Sequence, residues 1–310
     1  MSRKLEGPGQ DLMQDELDAN STLGQILLLK DETPNATFFV VEGYRDSIIF
    51  ENYIKGGFIR KENCQIVIAD GDVLNELIKK TEFSKGKSFA ISDADCSHLN
   101  GVKIQYNNLF FTDNRDMESD IICSESFEKF LNSINIQDVS HLRKKLQKNC
   151  KNLGLLRCIS EKKKWGIDFS CIVTDYSFQD YYDNKKESLD FEGIVSELAK
   201  NEKNLDLIIL KNYSNLEQEL IKTYKDHDYA KICQGHDLVR LLYQILKGRL
   251  RENFVIKTKY GEPSMRDFEQ LFYISYSFED FKKTKLYCEI IQWEKKKGYD
   301  SIFQTLSINN

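Results

Sequence analysis

Four short apolar runs, each closed by acidic residues, organise the first third of the chain. ATFFVV (36–41) is continuous, β-branched and aromatic, the pattern of a strand buried on both faces. Glu42 and Gly43 end it. In the following YRDSIIFENYIKGG, Ile48, Ile49, Tyr53 and Ile54 recur at helical spacing, and Gly56-Gly57 predicts the stop. QIVIAD (65–70) predicts a second buried strand, followed by Gly71 and a short helix through Val73, Leu74, Leu77 and Ile78. SFAISDAD (88–95) and NLFFTD (108–113) predict a third and a fourth strand, with a helix starting near Met117. Strands alternating with helices over short connections imply βαβ units, a parallel sheet and right-handed crossovers.

From about residue 120 the pattern becomes helical. ESDIICSESFEKFLNSI, SHLRKKLQKNCKNLGLLRCISEKKK and HDLVRLLYQILKGRL all carry helical spacing, as do 266–275 and 278–297. DFSCIVTD (168–175) and LDLIIL (205–210) read as strand-like interruptions. The expected class is therefore α/β, with a parallel-sheet core and a mostly helical remainder. The predicted divisions are a helical extension over 1–33, a core over 34–125 and a region over 126–310 partly packed on that core.

Composition narrows the classes. With 41% hydrophobic residues the 310-residue chain can bury a core, which excludes global disorder. No apolar run reaches the roughly 18 residues of a membrane span, and the N-terminus lacks an export-type apolar stretch, so no membrane association and a cytoplasmic location are expected. The eight cysteines show no CxxC spacing and are expected to be reduced, mostly buried thiols. A net charge of −5 argues against a general nucleic-acid coating protein. Walker A and GxGxxG motifs are absent, so nucleotide hydrolysis belongs to another chain.

The candidate chemistry lies in where the acids fall. In an open parallel sheet, functional groups gather outside the carboxyl ends of the strands. Glu42 and Asp46 follow the first run, Asp70 and Asp72 the second, Asp93 and Asp95 the third, and Asp113, Asp116 and Glu118 the fourth. Crowded carboxylates raise one another's pKa, and a hard divalent cation relieves that cost. Asp93 and Asp95, two apart on extended chain, point the same way, and Glu42 and Asp46 are four apart. Helix capping is the competing reading for each single acid, most strongly for Asp72.

FFVVEGYRD followed by FAISDAD resembles the TOPRIM core, and LFFTDNRDMESDII, LGLLRCISEKKKWGIDFS and GHDL resemble the TOPRIM-like, OLD-related nuclease family that includes the AriB-type effectors of PARIS anti-phage systems. The resemblance covers, patchily, about 36 to 245. It implies a TOPRIM-like Rossmannoid core and Mg²⁺- or Mn²⁺-dependent cleavage of RNA, such as tRNA, or of DNA. It also implies a toxic defence effector held in check by an ABC-type ATPase subunit. Glu42, Asp93 and Asp95 match the catalytic acids, and Glu42, Asp46, Asp93, Asp95 and Glu118 the metal-binding set. Asp70, Asp116, His236 and Asp237 are lesser candidates. His236 and Asp237 open a helix, where a capping or packing role competes.

Residues 141–164 carry nine Lys and Arg against the single acid Glu161. Arg143, Lys144, Lys145, Lys148, Lys162, Lys163 and Lys164 are the candidate nucleic-acid contacts, with partner docking or a solvated helix face as alternatives. Two other functions stay open. One is a non-catalytic scaffold subunit of a defence complex, and the other a phosphotransfer enzyme of the primase or topoisomerase kind. A homodimer is among the expected assemblies.

Overall fold

The computed structural model describes residues 18–54, 64–97, 106–172, 177–201, 218, 229–253 and 264–303. Helix α1 (Ala19–Glu32) precedes β1 (Thr37–Val41), α2 (Tyr44–Glu51), β2 (Cys64–Ile68), α3 (Gly71–Leu77), α4 (Thr81–Lys85), β3 (Ser88–Ser92) and β4 (Leu109–Phe111). The four strands form one parallel sheet in the order β2-β1-β3-β4. The chain steps outward from β1 to β2, then crosses back to the far side of β1. The gap between β1 and β3 is therefore the point where the winding direction reverses, the place where open α/β sheets bind ligands.

Alternation along the strands explains why both faces are covered. Phe38, Val40, Ala90 and Leu109 face a cluster completed by Ile26 of α1, Leu74 and Leu77 of α3 and Phe83 of α4. Phe39, Val41, Phe89, Ile91 and Phe110 face the opposite way, into a larger cluster. That cluster includes Ile49 and Phe50 of α2 and extends into the helices that follow the sheet. Those helices are α5 (Met117–Cys123), α6 (Glu125–Ser133), α7 (Val139–Lys163), α8 (Ser177–Tyr181) and α9 (Phe191–Asn201). They continue with α10 (Tyr229–Ile232), α11 (Gly235–Asn253), α12 (Met265–Ser275), α13 (Phe278–Phe281) and α14 (Lys285–Lys297). Phe89 and Phe110 meet Trp293 of α14, with ring centroids 5.3 and 6.2 Å apart. The C-terminal helices thus close the second face of the sheet with aromatic packing.

Two expectations need correction. Of the stretch expected as a strand at 168–175, residues 168–172 hold a 3₁₀ turn over Ser170–Ile172, where Asp168 takes hydrogen bonds from the backbone and hydroxyl of Ser170, and 173–175 lie outside the described residues. A side chain so placed offers the backbone an alternative to a sheet ladder. Cys96 and Cys158, expected as thiols, form a disulfide with Cα atoms 5.5 Å apart. The pairing depends on α7 packing beside the segment after β3, which a spacing of 62 residues conceals. Cys123 and Cys288 are exposed rather than buried. LDLIIL (205–210) lies outside the described residues.

Candidate functional site: an acidic centre at the sheet's reversal point

Glu42, first residue after β1, lies beside the end of β3. Its Oε1 accepts hydrogen bonds from the Ser92 hydroxyl and from the Asp93 backbone N–H, the latter at 3.1 Å. This ties the ends of the two central strands together. Its other oxygen, Oε2, faces Gly71, where a Cβ would sit 3.2 Å away, so the small residue leaves that oxygen room. Burial pushes the Glu42 carboxyl up; the Ser92 bond opposes this, and the charges of Asp95 and Asp70 add to it.

Asp46 sits one turn into α2, and its Oδ2 accepts the Gly43 backbone N–H at 3.0 Å, closing the helix start. Burial, reinforced by the charges of Glu118 and Glu42, pushes it up to about 8. Asp93 is held well above the usual carboxylate range by burial and by Asp46, Asp116, Glu42 and Glu118. Asp93 is therefore the electrostatic focus, and among the described residues no hydrogen-bond donor serves its side chain. Asp95 is exposed at the mouth, with its backbone in the left-handed region at φ 45° and its N–H donated to the Arg115 carbonyl at 2.8 Å. Desolvation raises its carboxyl, and Arg115 pulls the other way.

The acids after β4 divide. Asp116 caps α5 by accepting the Ser119 backbone N–H and hydroxyl at 2.9 and 2.6 Å, and it takes the Gly235 N–H at 2.7 Å. A Cβ at position 235 would overlap Asp116 Oδ1 and the Glu118 Cβ, so glycine is what lets α11 start here. Burial and the Glu118 charge raise Asp116 to about 6. Glu118 behaves oppositely. Burial pushes it up, but His236 and the Tyr273 hydroxyl draw it down to about 2. His236 Nδ1 lies 2.8 Å from Glu118 Oε1, and Tyr273 Oη donates to the same oxygen at 2.6 Å. Burial works against protonation of His236, yet Glu118 outweighs it and raises the imidazole above its usual value.

Arg45, which the sequence reading passed over, completes this network. Its Nη2 donates to Glu269 Oε2 at 2.8 Å, and its Nη1 lies 3.1 Å from His236 Nδ1. The signal for Arg45 was present in EGYRD, one residue before Asp46 in the same helical turn. Glu269 and Tyr273, four apart on α12, carry no such signal.

Other candidates stand elsewhere. Asp70 caps α3 through the Val73 N–H at 2.9 Å and touches the centre only by its charge on Glu42. Asp113, expected on the shared rim, instead accepts the Lys285 and Leu286 backbone N–H groups at 2.7 and 2.9 Å. Asp237 is buried and holds Arg157 through two hydrogen bonds, 2.8 and 3.1 Å. His98 lies outside the described residues.

The basic segment is not one face. Arg143 donates to the Ile122 and Ser124 carbonyls, and Lys145 pairs with Glu187 at 2.9 Å. Lys144 and Lys148 are exposed, while Lys162, Lys163 and Lys164 are exposed at the end of α7, about 20 Å further along the helix. Their charge suits the negative end of the helix dipole.

Among the described residues no three His, Cys, Asp or Glu side chains stand ready as a metal cage. The donor chemistry nonetheless fits a hard cation. The centre offers carboxylate oxygens on which burial, and after it mutual repulsion, favours the proton, and the Asp93 side chain takes no hydrogen bond among the described residues. No helix among the described residues is long and apolar enough to cross a membrane. Compared with known proteins, the chain matches no family model, no curated protein and no solved structure.

Proposed function

We propose that the protein is a divalent-metal-dependent nuclease of TOPRIM-like type that hydrolyses phosphodiesters in RNA or DNA at the acidic centre. The observation that carries this reading is the convergence of Glu42, Asp46 and Asp93 at the reversal point of the sheet, each with its pKa raised by burial and by its neighbours. Buried, like-charged carboxylates cost stability, and groups perturbed in this way cluster at functional sites. Glu42, Asp46, Asp93 and Asp95 would hold Mg²⁺ or Mn²⁺, which supplies charge neutralisation at the phosphoryl group and activation of water.

The chain's own residues prepare the reaction. Ser92 and the Asp93 backbone fix the Glu42 carboxylate in place. Arg45, half-buried and anchored by Glu269, presents a positive group beside the acids where a phosphate oxygen can be met. Glu118, bonded by Tyr273, fixes the imidazole of His236 next to that guanidinium. Glu118 in this reading organises the site and is not one of its metal ligands.

In the same proposal the nuclease is a toxic effector of anti-phage defence, restrained by an ABC-type ATPase. Unrestrained cleavage of nucleic acid would damage the host. The test is incubation of the purified chain with Mg²⁺ or Mn²⁺ and tRNA, single-stranded RNA or plasmid, with and without a co-expressed ATPase from the adjacent gene. Cleavage that disappears in Glu42→Ala and Asp93→Asn supports the reading; intact substrates under every condition overturn it. A second reading, a non-catalytic scaffold, draws on the lack of a ready-made cage among the described residues. Calorimetric titration with Mn²⁺ separates the two, since a scaffold shows no binding that depends on Asp93.

A further inference from the structure

Next to the acidic centre, on the side of Asp95, lies a cleft of about 300 Å³ whose lining includes Arg115, Arg157, Lys164, Phe169, Gln234 and Glu161. Three of the nine lining residues are cations, in a chain whose net charge is −5. The cleft is joined to the centre through the backbone. The Arg115 carbonyl accepts the Asp95 N–H at 2.8 Å, and Gln234 precedes Gly235, whose N–H bonds Asp116.

The cations are held in place by different means. Arg115 is 4% exposed, and its Nη1 donates to the Ile232 carbonyl at 2.7 Å and to Cys158 Sγ at 3.1 Å. Its Nε is buried and has no hydrogen-bond partner among the described residues. Its positive charge lies in the wall of the cleft. Arg157 is locked by two bonds to Asp237 through Nε and Nη2, and its guanidinium stacks 4.3 Å from the Phe169 ring. Among the described residues its Nη1 donors have no hydrogen-bond partner. Lys164 ends α7 in the left-handed conformation at φ 53°, with its side chain exposed. The one acid in the lining, Glu161, is engaged by the Cys96 backbone N–H and interacts with Asp95 and Arg115. The start of α11 adds the positive end of a 19-residue helix.

We infer that this cleft is a phosphate subsite, binding a backbone phosphate of the nucleic-acid strand next to the phosphodiester held at the acidic centre. It rests on the nuclease reading and adds the direction in which the strand leaves the centre. Fixed, desolvated guanidinium groups with one exposed lysine are suited to a phosphate, which offers several acceptor oxygens to a forked donor. The cleft also accounts for the basic end of 141–164 better than a uniform basic face does. Of that segment's nine basic residues, Arg157 and Lys164 line it.

The experiment uses the full chain carrying Asp93→Asn, so that substrate is bound and not cut, with a fluorescent 12-nucleotide single-stranded RNA or DNA titrated at several salt concentrations. Lys164→Gln is expected to weaken binding 3- to 10-fold and to lower the slope of log K against log salt by about 0.7, the share of one phosphate contact. Lys129→Gln, an exposed lysine on α6, serves as the control and is expected to change neither. If the Asp93→Asn protein binds the oligonucleotide and Lys164→Gln binds it equally, the subsite is overturned while the nuclease reading stands. If the Asp93→Asn protein binds no oligonucleotide, both fall together. A parallel titration with inorganic phosphate, read by tryptophan fluorescence beside Lys164 at Trp165, distinguishes the source of the anion. Binding of free phosphate that is lost in Lys164→Gln, without oligonucleotide binding, would mean a small-anion site and overturn the assignment to a nucleic-acid strand.

Discussion

Two acidic clusters flank the carboxyl ends of the strands, and they are built to opposite ends. At Glu42, Asp46 and Asp93, burial and mutual repulsion raise the carboxyls, and Asp93 has no described side-chain donor. At the second cluster, Asp113, Asp120 and Asp280 line a cleft of about 240 Å³, yet their oxygens are in use. Asp120 accepts the Asp113 N–H, the Asn114 N–H and the Asn114 side-chain amide at 3.3, 2.8 and 2.7 Å. Asp280 takes Ser126, Ser277 and Lys283, and these bonds overcome burial and hold it below the usual range. Acid count alone does not separate the two clusters. Nor does a raised carboxyl, since burial also pushes Asp120 up to about 7; what separates them is Asp93, whose side chain takes no donor among the described residues, because a satisfied carboxylate has little left to offer a ligand.

The comparison yields predictions of decreasing size. Asp93→Asn should lower nuclease turnover on the order of 10²–10⁴-fold, the range for loss of a group acting in the transition state, while leaving the melting temperature unchanged or higher. A loss of folding by circular dichroism would place Asp93 with the structural acids instead. Asp120→Ala should do the reverse, costing about 2–4 kcal/mol in urea unfolding by orphaning three donors, with turnover per folded molecule retained. Tyr273→Phe removes one of the two described contacts to Glu118 Oε1 and should cost about 1–2 kcal/mol. An unchanged unfolding midpoint would show that His236 alone suffices to hold Glu118.

The smallest expected effect is a pH dependence. Asp46, Asp93 and Asp116 retain protons in the folded protein at pH values where the unfolded chain, with carboxyls near 3.8, has released them. The stability they contribute is complete below that value and is lost as pH rises through about 6 for Asp116 and about 8 for Asp46. His236, raised above 6.5, acts in the same direction, and Glu118, drawn down to about 2, titrates outside this window. The metal-free protein should therefore melt a few degrees lower at pH 8.5 than at pH 5.5, at roughly 2–4 °C per kcal/mol. Asp120, which burial raises to about 7 outside the centre, adds to the loss, so Mg²⁺ should recover only the part due to the centre's acids at pH 8.5 and do little at pH 5.5. Scanning calorimetry at both pH values checks this, and a metal effect equal at both would disconnect the cation from the raised acids.

Much of the fold was legible because strand signals are local. Continuous apolar runs at 36–41, 65–68, 88–92 and 108–111 fall on the four strands, and the alternation within them matches the two faces of the sheet. The helices over 125–133, 265–275 and 285–297 likewise follow from periodicity. The first part of the strand expected at 168–175 is instead a 3₁₀ turn, because a local side-chain bond to the backbone does not register in an apolar count.

For the site, the chain by itself determined which residues stand at the strand ends, since a residue following a parallel strand lies at its carboxyl edge whatever the rest of the molecule does. Glu42, Asp46 and Asp93 could be named on that ground. Tertiary structure alone decided which of those acids remain uncommitted. Asp113 was diverted to cap α14, Asp116 and Glu118 were drawn into contacts with Gly235, His236 and Tyr273, and Cys96 met Cys158. Each of these depends on a partner more than 60 residues away, and a carboxylate's pKa and its freedom to bind are set by what surrounds it in space.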